Sequence, residues 1–90
     1  MPKKRFCAYF EGRVQGVGFR FTAERIANSL NISGWVKNLA DGKVEVVAEA
    51  EQKNLENFLE QLKSYFKTYI RDVEISWQEP EGLDSFVIKF

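Results

Sequence analysis

Between Gly12 and Arg20 the chain reads Gly-Arg-Val-Gln-Gly-Val-Gly-Phe-Arg, a segment that leaves a strand-like run and enters a helical one. Backbone amides late in such a segment converge at the positive end of the helix dipole, where an oxyanion binds. Gly16 and Gly18 let the backbone curl tightly and approach the anion, and Arg20 in the first helical turn adds a planar fork suited to phosphate. The same glycines would also serve a plain turn, with Arg20 capping a surface helix. The chain has no histidine, which removes the commonest general base, the commonest zinc ligand and every Ser-His or Cys-His pair. Any chemistry at this loop runs without imidazole.

A strand must deliver the loop and a helix must receive it. From Phe6 to Glu11 the residues alternate, Phe6, Ala8 and Phe10 on one face and Cys7, Tyr9 and Glu11 on the other, which predicts a first strand. Phe19, Ala23, Ile26, Ala27 and Leu30 recur at helical spacing and predict a helix over roughly residues 20–31, closed by a left-handed Asn31 and an apolar contact from Ile32. Ser33 to Leu39 and Lys43 to Ala50 predict two antiparallel strands, with Asp41-Gly42 between them as a type I′ hairpin signal. Leu55, Phe58, Leu59, Leu62, Tyr65 and Phe66 form the stripe of a second helix that starts within a few residues of Gln52. Val73, Ile75 and Trp77 alternate in a fourth strand. Phe86, Ile88 and Phe90 alternate in a last one, either a short extra strand or the second half of a split fourth. The order β-α-β-β-α-β predicts an α+β ferredoxin-like sandwich, one antiparallel sheet with both helices on one face. Its inward sets are Phe6/Ala8/Phe10, Val44/Val46/Ala48, Val73/Ile75/Trp77 and Phe86/Ile88/Phe90. Such a fold hosts enzymes, RNA-binding domains and metal chaperones alike, so function rests on the loop.

The string Gly12 to Arg20 resembles the signature of the acylphosphatase family, G-x-V-Q-G-V-x-F-R, at every fixed position. Gly34-Trp35-Val36-Lys37-Asn38, followed by Asp41-Gly42 and the strand from Lys43 to Val47, is similar to a second family segment, G-W-V-x-N, then D-G and a strand. The similarity covers essentially the full chain. Asn31 stands where many members have glycine, and Lys67 to Arg71 lacks the Gly-Pro often found after the second helix; neither departure touches the site. The resemblance implies the ferredoxin-like fold and metal-independent hydrolysis of acyl phosphates to carboxylate and inorganic phosphate, with no cofactor. It places the family's phosphate-binding arginine on Arg20 and its water-orienting asparagine on Asn38. It also places the phosphoryl-binding amides on Gln15, Gly16, Val17, Gly18 and Phe19.

Elementary chemistry accepts that assignment. Cleaving a carboxyl-phosphate anhydride expels a carboxylate whose conjugate acid has a pKa of about 4, so the leaving group needs no general acid. Phosphoryl transfer asks chiefly for positioning and electrostatic stabilisation, which amides, one guanidinium and one carboxamide can supply. Asn38 would hold water through its carbonyl oxygen, or bind backbone near the turn. Cys7 and Arg13 form a C-x5-R spacing like that of cysteine-dependent phosphatases, but the residues between them alternate as a strand and cannot wrap amides around phosphate. An RNA-binding module would stack bases on exposed strand aromatics such as Tyr9, yet the aromatic-rich strand signature is missing. One cysteine and no histidine make no soft-metal chaperone.

With 90 residues the chain fits one domain, 1–90, with a thin core to which its aromatic residues contribute bulk. Lys+Arg and Asp+Glu both total 13, so no long-range positive field gathers nucleic acid or an anionic membrane. Pro2-Lys3-Lys4-Arg5 is basic but has no apolar stretch after it, and no run approaches a membrane span. A lone cysteine makes no internal disulfide. The expectation is a cytoplasmic monomer acting on a small-molecule acyl phosphate, without nucleic acid or membrane. The same domain pattern occurs fused in larger carbamoyl-handling proteins, and a chain that carries it alone is expected to be a free hydrolase.

Overall fold

Each periodic run becomes one element of the computed structural model, which describes residues 2–90. The elements are β1 (Lys4–Gly12), α1 (Phe19–Ser29), β2 (Ser33–Asn38), β3 (Val44–Ala50), α2 (Gln52–Tyr65), β4 (Ile70–Gln78) and β5 (Phe86–Lys89). They form a single sheet in the order β4-β1-β3-β2-β5. The ferredoxin-like α+β sandwich is present. Phe6, Ala8, Phe10, Val44, Val46 and Ala48 face Phe19, Ala23, Ile26 and Ala27 of α1 and Leu55, Phe58, Leu59 and Leu62 of α2 in one buried cluster. At about 25 cal/mol per Å2 of apolar surface removed from water, this cluster is the main term that opposes chain entropy.

The end of α1 follows the sequence closely. Asn31 has φ 55°, the only positive value outside glycine among the described residues. The Ile32 amide donates to the Ala27 carbonyl at 2.9 Å and the Asn31 amide to the Asn28 carbonyl at 3.3 Å. These are the two bonds of a Schellman motif, so the helix stops at Ser29, short of the expected residue 31.

Three expectations are corrected. The sheet is mixed, because β5 pairs in parallel with β2 while all other pairs are antiparallel. The last strand is thus an element of its own at the opposite edge from β4, and residues 79–85 must cross the sheet to reach it. Chain direction explains the pairing: β4 ends at the same end of the sheet where β2 begins, so a strand entered from that end runs with β2.

Second, Trp77 is 48% exposed and Phe90 92% exposed, so neither completes an inward set. Trp77 lies on the margin with its ring 5.7 Å from Phe6, and Phe90 stands beyond the last residue of β5. Third, the β2–β3 turn is not type I′, which needs positive φ at both central residues. Only Gly42 is positive there, at 94°. The Gly42 amide donates to the Leu39 carbonyl and the Leu39 amide to the Lys43 carbonyl, a three-residue loop closed by a left-handed glycine.

The crossing segment is fastened by one buried carboxylate. Glu49, near the end of central strand β3, has no solvent exposure. It accepts from the amides of Glu81 at 2.7 Å, Gly82 at 3.0 Å and Leu83 at 3.0 Å. It also pairs with Arg5 Nη1 at 2.8 Å, and Arg5 Nε reaches Gln78 at the end of β4. Burial alone would raise the Glu49 pKa, but the three amides and the guanidinium outweigh it and lower the group from 4.5 to about 2.

A carboxylate depressed in this way contributes its full stability above about pH 4.5, and the contribution fades as pH falls toward 2. We expect the urea midpoint of the wild type to fall through that window. Glu49→Gln should lower the midpoint at pH 7 and flatten its fall between pH 5 and 2; a variant with the wild-type midpoint at pH 7 would show that Glu49 does not fasten the crossing.

Candidate active site

The loop expected to bind an anion occupies residues 13–18, between β1 and α1, at the end of the sheet opposite the Glu49 crossing. Its entry is fixed by the Arg13 amide, which donates to the Tyr69 carbonyl at 2.9 Å. Gly16 and Gly18 have φ of 77° and 82°, in the left-handed region that glycine enters without cost. A side chain at either would point into open space, so backbone conformation is what demands glycine. After Arg13, the next amide along the chain to reach a backbone carbonyl is that of Thr22, bonded to Gly18 at 3.1 Å. Gly18 is the N-cap of α1 and gives no side-chain cap, and the first turn holds no acidic residue. The helix start therefore presents unspent donors and an uncompensated dipole to whatever anion approaches.

Val14, Gly16, Gly18, Phe19, Arg20, Phe21 and Asn38 line one cavity of about 260 Å3. Buried Val14 and Phe19 belong to the core, and Phe19 packs between Phe10 and Phe66 with ring centroids 5.0 and 4.6 Å away. Of the expected site residues, Gly16, Gly18, Phe19, Arg20 and Asn38 thus meet in one place. Val17 is half-buried and packs against the core.

Gln15 lines no part of the cavity; its side chain turns to the β2–β3 hairpin instead. There Nε2 donates to the Leu39 carbonyl at 2.8 Å and to the Lys43 carbonyl at 2.9 Å, the two residues that close the hairpin neck. The loop is in this way tied to the strand end that carries Asn38, which pairs with Val44 at the last register position of β2 and β3.

Asn38 Oδ1 is the one buried side-chain N or O atom among the described residues without a hydrogen-bond partner. Leaving a buried acceptor unmet costs about 1–3 kcal/mol, so such an atom calls for a donor that the described residues do not supply. Arg20 supplies the cavity's only charged side chain. Its Cζ lies 4.9 Å from the centroid of the Phe90 ring, a cation–π contact that sequence patterning assigned to the core instead. No local signal marks Phe90 or Gln15 for these roles, because both act across long sequence separations.

Other combinations weighed from the sequence do not assemble. Cys7 pairs in the sheet ladder with Val47 on one side and Ser76 on the other. Arg13 lines a separate recess with Gly12, Thr68, Tyr69, Ile70 and Arg71. The Tyr9 hydroxyl donates to Glu45 at 3.2 Å, and contact with the Cys7 side chain and the Glu45 carboxylate pushes the phenol up to about 12. Trp35 Nε1 donates to the same carboxylate at 2.9 Å, so this face of the sheet is occupied by its own polar network. No three His, Cys, Asp or Glu side chains gather as a metal-ligating group among the described residues.

The chain is similar to known proteins along most of its length. The family model described as Acylphosphatase matches residues 6–88. An acylphosphatase of Thermus thermophilus is 46% identical over 83 residues, covering 91% of this chain and 94% of the relative. The crystal structure of acylphosphatase from Bacillus subtilis superposes with a TM-score of 0.89 at 32% identity, covering 97% of this chain and 99% of that one. The crystal structure of T. kodakarensis HypF matches at TM-score 0.81 and 34% identity, but the match spans only 12% of that longer chain against 97% of this one.

The Gln15 clamp generates a direct test. Gln15→Glu replaces two donated hydrogen bonds with a carboxylate facing two carbonyls, which should cost about 1–3 kcal/mol of stability and loosen the loop. We expect a lower urea midpoint and at least tenfold weaker binding of inorganic phosphate in titration calorimetry. Wild-type values for both would mean that the clamp does not hold the site.

Proposed function

The chain belongs to the acylphosphatase family, and from that premise we propose that it hydrolyses acyl phosphates with Arg20 and the loop amides holding the phosphoryl group and Asn38 holding the attacking water. The observation that carries this assignment of roles is that Asn38, whose Oδ1 is buried and unpartnered, lines the same cavity as Arg20 and the uncapped start of α1. The amides and guanidinium are fixed donors around one anion, and Oδ1 is a lone acceptor beside it. Water is the small donor that fits such an acceptor, and accepting one of its protons aims the oxygen lone pair away from Asn38.

The reaction then follows from charge. Amides of the loop and of the first turn of α1, with the Arg20 fork, bind the phosphoryl oxygens and stabilise the negative charge spread over them. The water oxygen forms a bond to phosphorus while the bond from phosphorus to the acyl oxygen breaks. The carboxylate leaves with the electron pair and needs no proton, since its conjugate acid has a pKa of about 4. A phosphate oxygen of the substrate takes the proton from the water. Nothing in this sequence asks for imidazole, a thiol or a cofactor, and the role of the protein is to bring three groups to fixed positions before the bond breaks. The same reading has it act as a cytoplasmic monomer on a free small molecule; zero formal net charge leaves no long-range positive field to gather nucleic acid, and a single cysteine makes no internal disulfide. No helix among the described residues is long and apolar enough to cross a membrane.

Arg20 and Asn38 should fail differently. Arg20 touches the phosphoryl group in ground and transition states, so Arg20→Ala should weaken competitive inhibition by inorganic phosphate and lower kcat by on the order of 100 to 1,000-fold. Asn38 touches only water, so Asn38→Ala should lower kcat on benzoyl phosphate by a comparable factor and leave phosphate inhibition within about twofold of wild type. Each variant is compared after its urea midpoint shows it folded. A folded Asn38→Ala with wild-type kcat would remove the water-holding role and leave only the anion cradle.

A further inference from the structure

The two large apolar side chains most open to solvent among the described residues are Phe90, at 92%, and Phe21, at 71%. A single exposed phenylalanine needs no explanation, but one of these lines the cavity and the other stacks on a residue that does. Phe21 lines it directly, and Phe90 lies against Arg20, which lines it too. Phe21 owes nothing to the fold. The buried positions of α1 are Phe19, Thr22, Ala23, Ile26 and Ala27, and its other exposed residues, Arg25, Asn28 and Ser29, are polar. Phe21 alone puts an apolar ring on the solvent side of that helix, one residue after the phosphate-binding arginine.

Resting on the hydrolytic reading above, we infer that Phe21 and Phe90 form the rim that receives the acyl group, and that the enzyme favours acyl phosphates of apolar, ring-bearing carboxylic acids over small polar ones. The lining supports this choice. Arg20 and Asn38 are committed to phosphate and water, and what remains is Val14, Phe19, Phe21 and two glycines. No ammonium, carboxylate or hydroxyl side chain lines the cavity to meet a charged or hydroxylated acyl group. A polar acyl group gains nothing from these walls and forfeits part of its hydration. An apolar ring removes its own surface and that of Phe21 from water together. Phe90 uses one face of its ring on the Arg20 guanidinium, and its exposure leaves the remainder available to substrate. Contact of this size, partial cover of one ring by another, is worth on the order of tenfold in discrimination.

The test compares benzoyl phosphate with acetyl phosphate as the two probes. In Phe21→Ser the ratio of kcat/KM for benzoyl over acetyl phosphate should fall about tenfold from its wild-type value, through a higher KM for benzoyl phosphate. Phe21→Leu, which keeps apolar surface, should recover most of the ratio. Because Phe21 is largely exposed, both variants should keep the wild-type urea midpoint. A folded Phe21→Ser whose ratio stays within twofold of wild type would overturn the rim alone. Failure of the wild type to hydrolyse either substrate would overturn the hydrolytic reading and the rim with it.

Discussion

Two hydrogen bonds from one side-chain amide hold the anion loop against the β2–β3 hairpin, and the whole site depends on them. Gln15 Nε2 reaches the carbonyls of Leu39 and Lys43. The loop carries the proposed phosphate donors and the hairpin carries Asn38, yet the two segments are otherwise separate stretches of chain. Without this tie, the distance between the cradle and Oδ1 would be set only by the core beneath them. With it, both are fixed before any substrate arrives, and such fixed dipoles do not reorganise as charge develops. A glutamine suits the task because its amide presents two donors from one nitrogen to two acceptors at once.

The opposite end of the sheet obeys the same economy. Getting from one edge strand to the other takes residues 79–85 across the strand ends, where no strand ladder meets their amides. Glu49 meets three of those amides and is itself neutralised by Arg5, so one carboxylate satisfies a whole turn of backbone. The consequence reaches the active site. The crossing lets β5 run parallel to β2, and the chain leaving β5 brings Phe90 to Arg20. A charge buried at one end of the molecule thus governs what stacks on Arg20 at the other.

Much of this was legible in the residues themselves. The stripes of α1 and α2, the alternation of β1 and β3 and the left-handed Asn31 are local signals, and the structure realises them within a residue or two. Gly16, Gly18 and Arg20 suggested an anion cradle by type and spacing, whereas Asn38 was marked for the site by the family resemblance; the structure brings all four to one cavity. What stayed hidden is long-range. Glu49 looks like a polar strand end until a segment more than 30 residues away folds over it. Gln15 was expected to serve through its backbone, but its side chain reaches carbonyls 24 and 28 residues along the chain. Asp-Gly fits both a two-residue and a three-residue turn, and the strand register decided between them. Phe90 keeps the inward period of Phe86 and Ile88, but the sheet ends at Lys89, so the period has nothing left to bury it.

On the proposed roles, water attacks phosphorus: the cradle would grip the phosphoryl oxygens, and Asn38 Oδ1 would aim a water at the atom they surround. Attack at the acyl carbon would need donors around the carbonyl oxygen, and the rim offers phenyl rings there instead. Hydrolysis of benzoyl phosphate in water enriched in oxygen-18 separates the two directly. The account predicts one labelled oxygen in inorganic phosphate and none in benzoate. Label in benzoate would place the attack on carbon and contradict it.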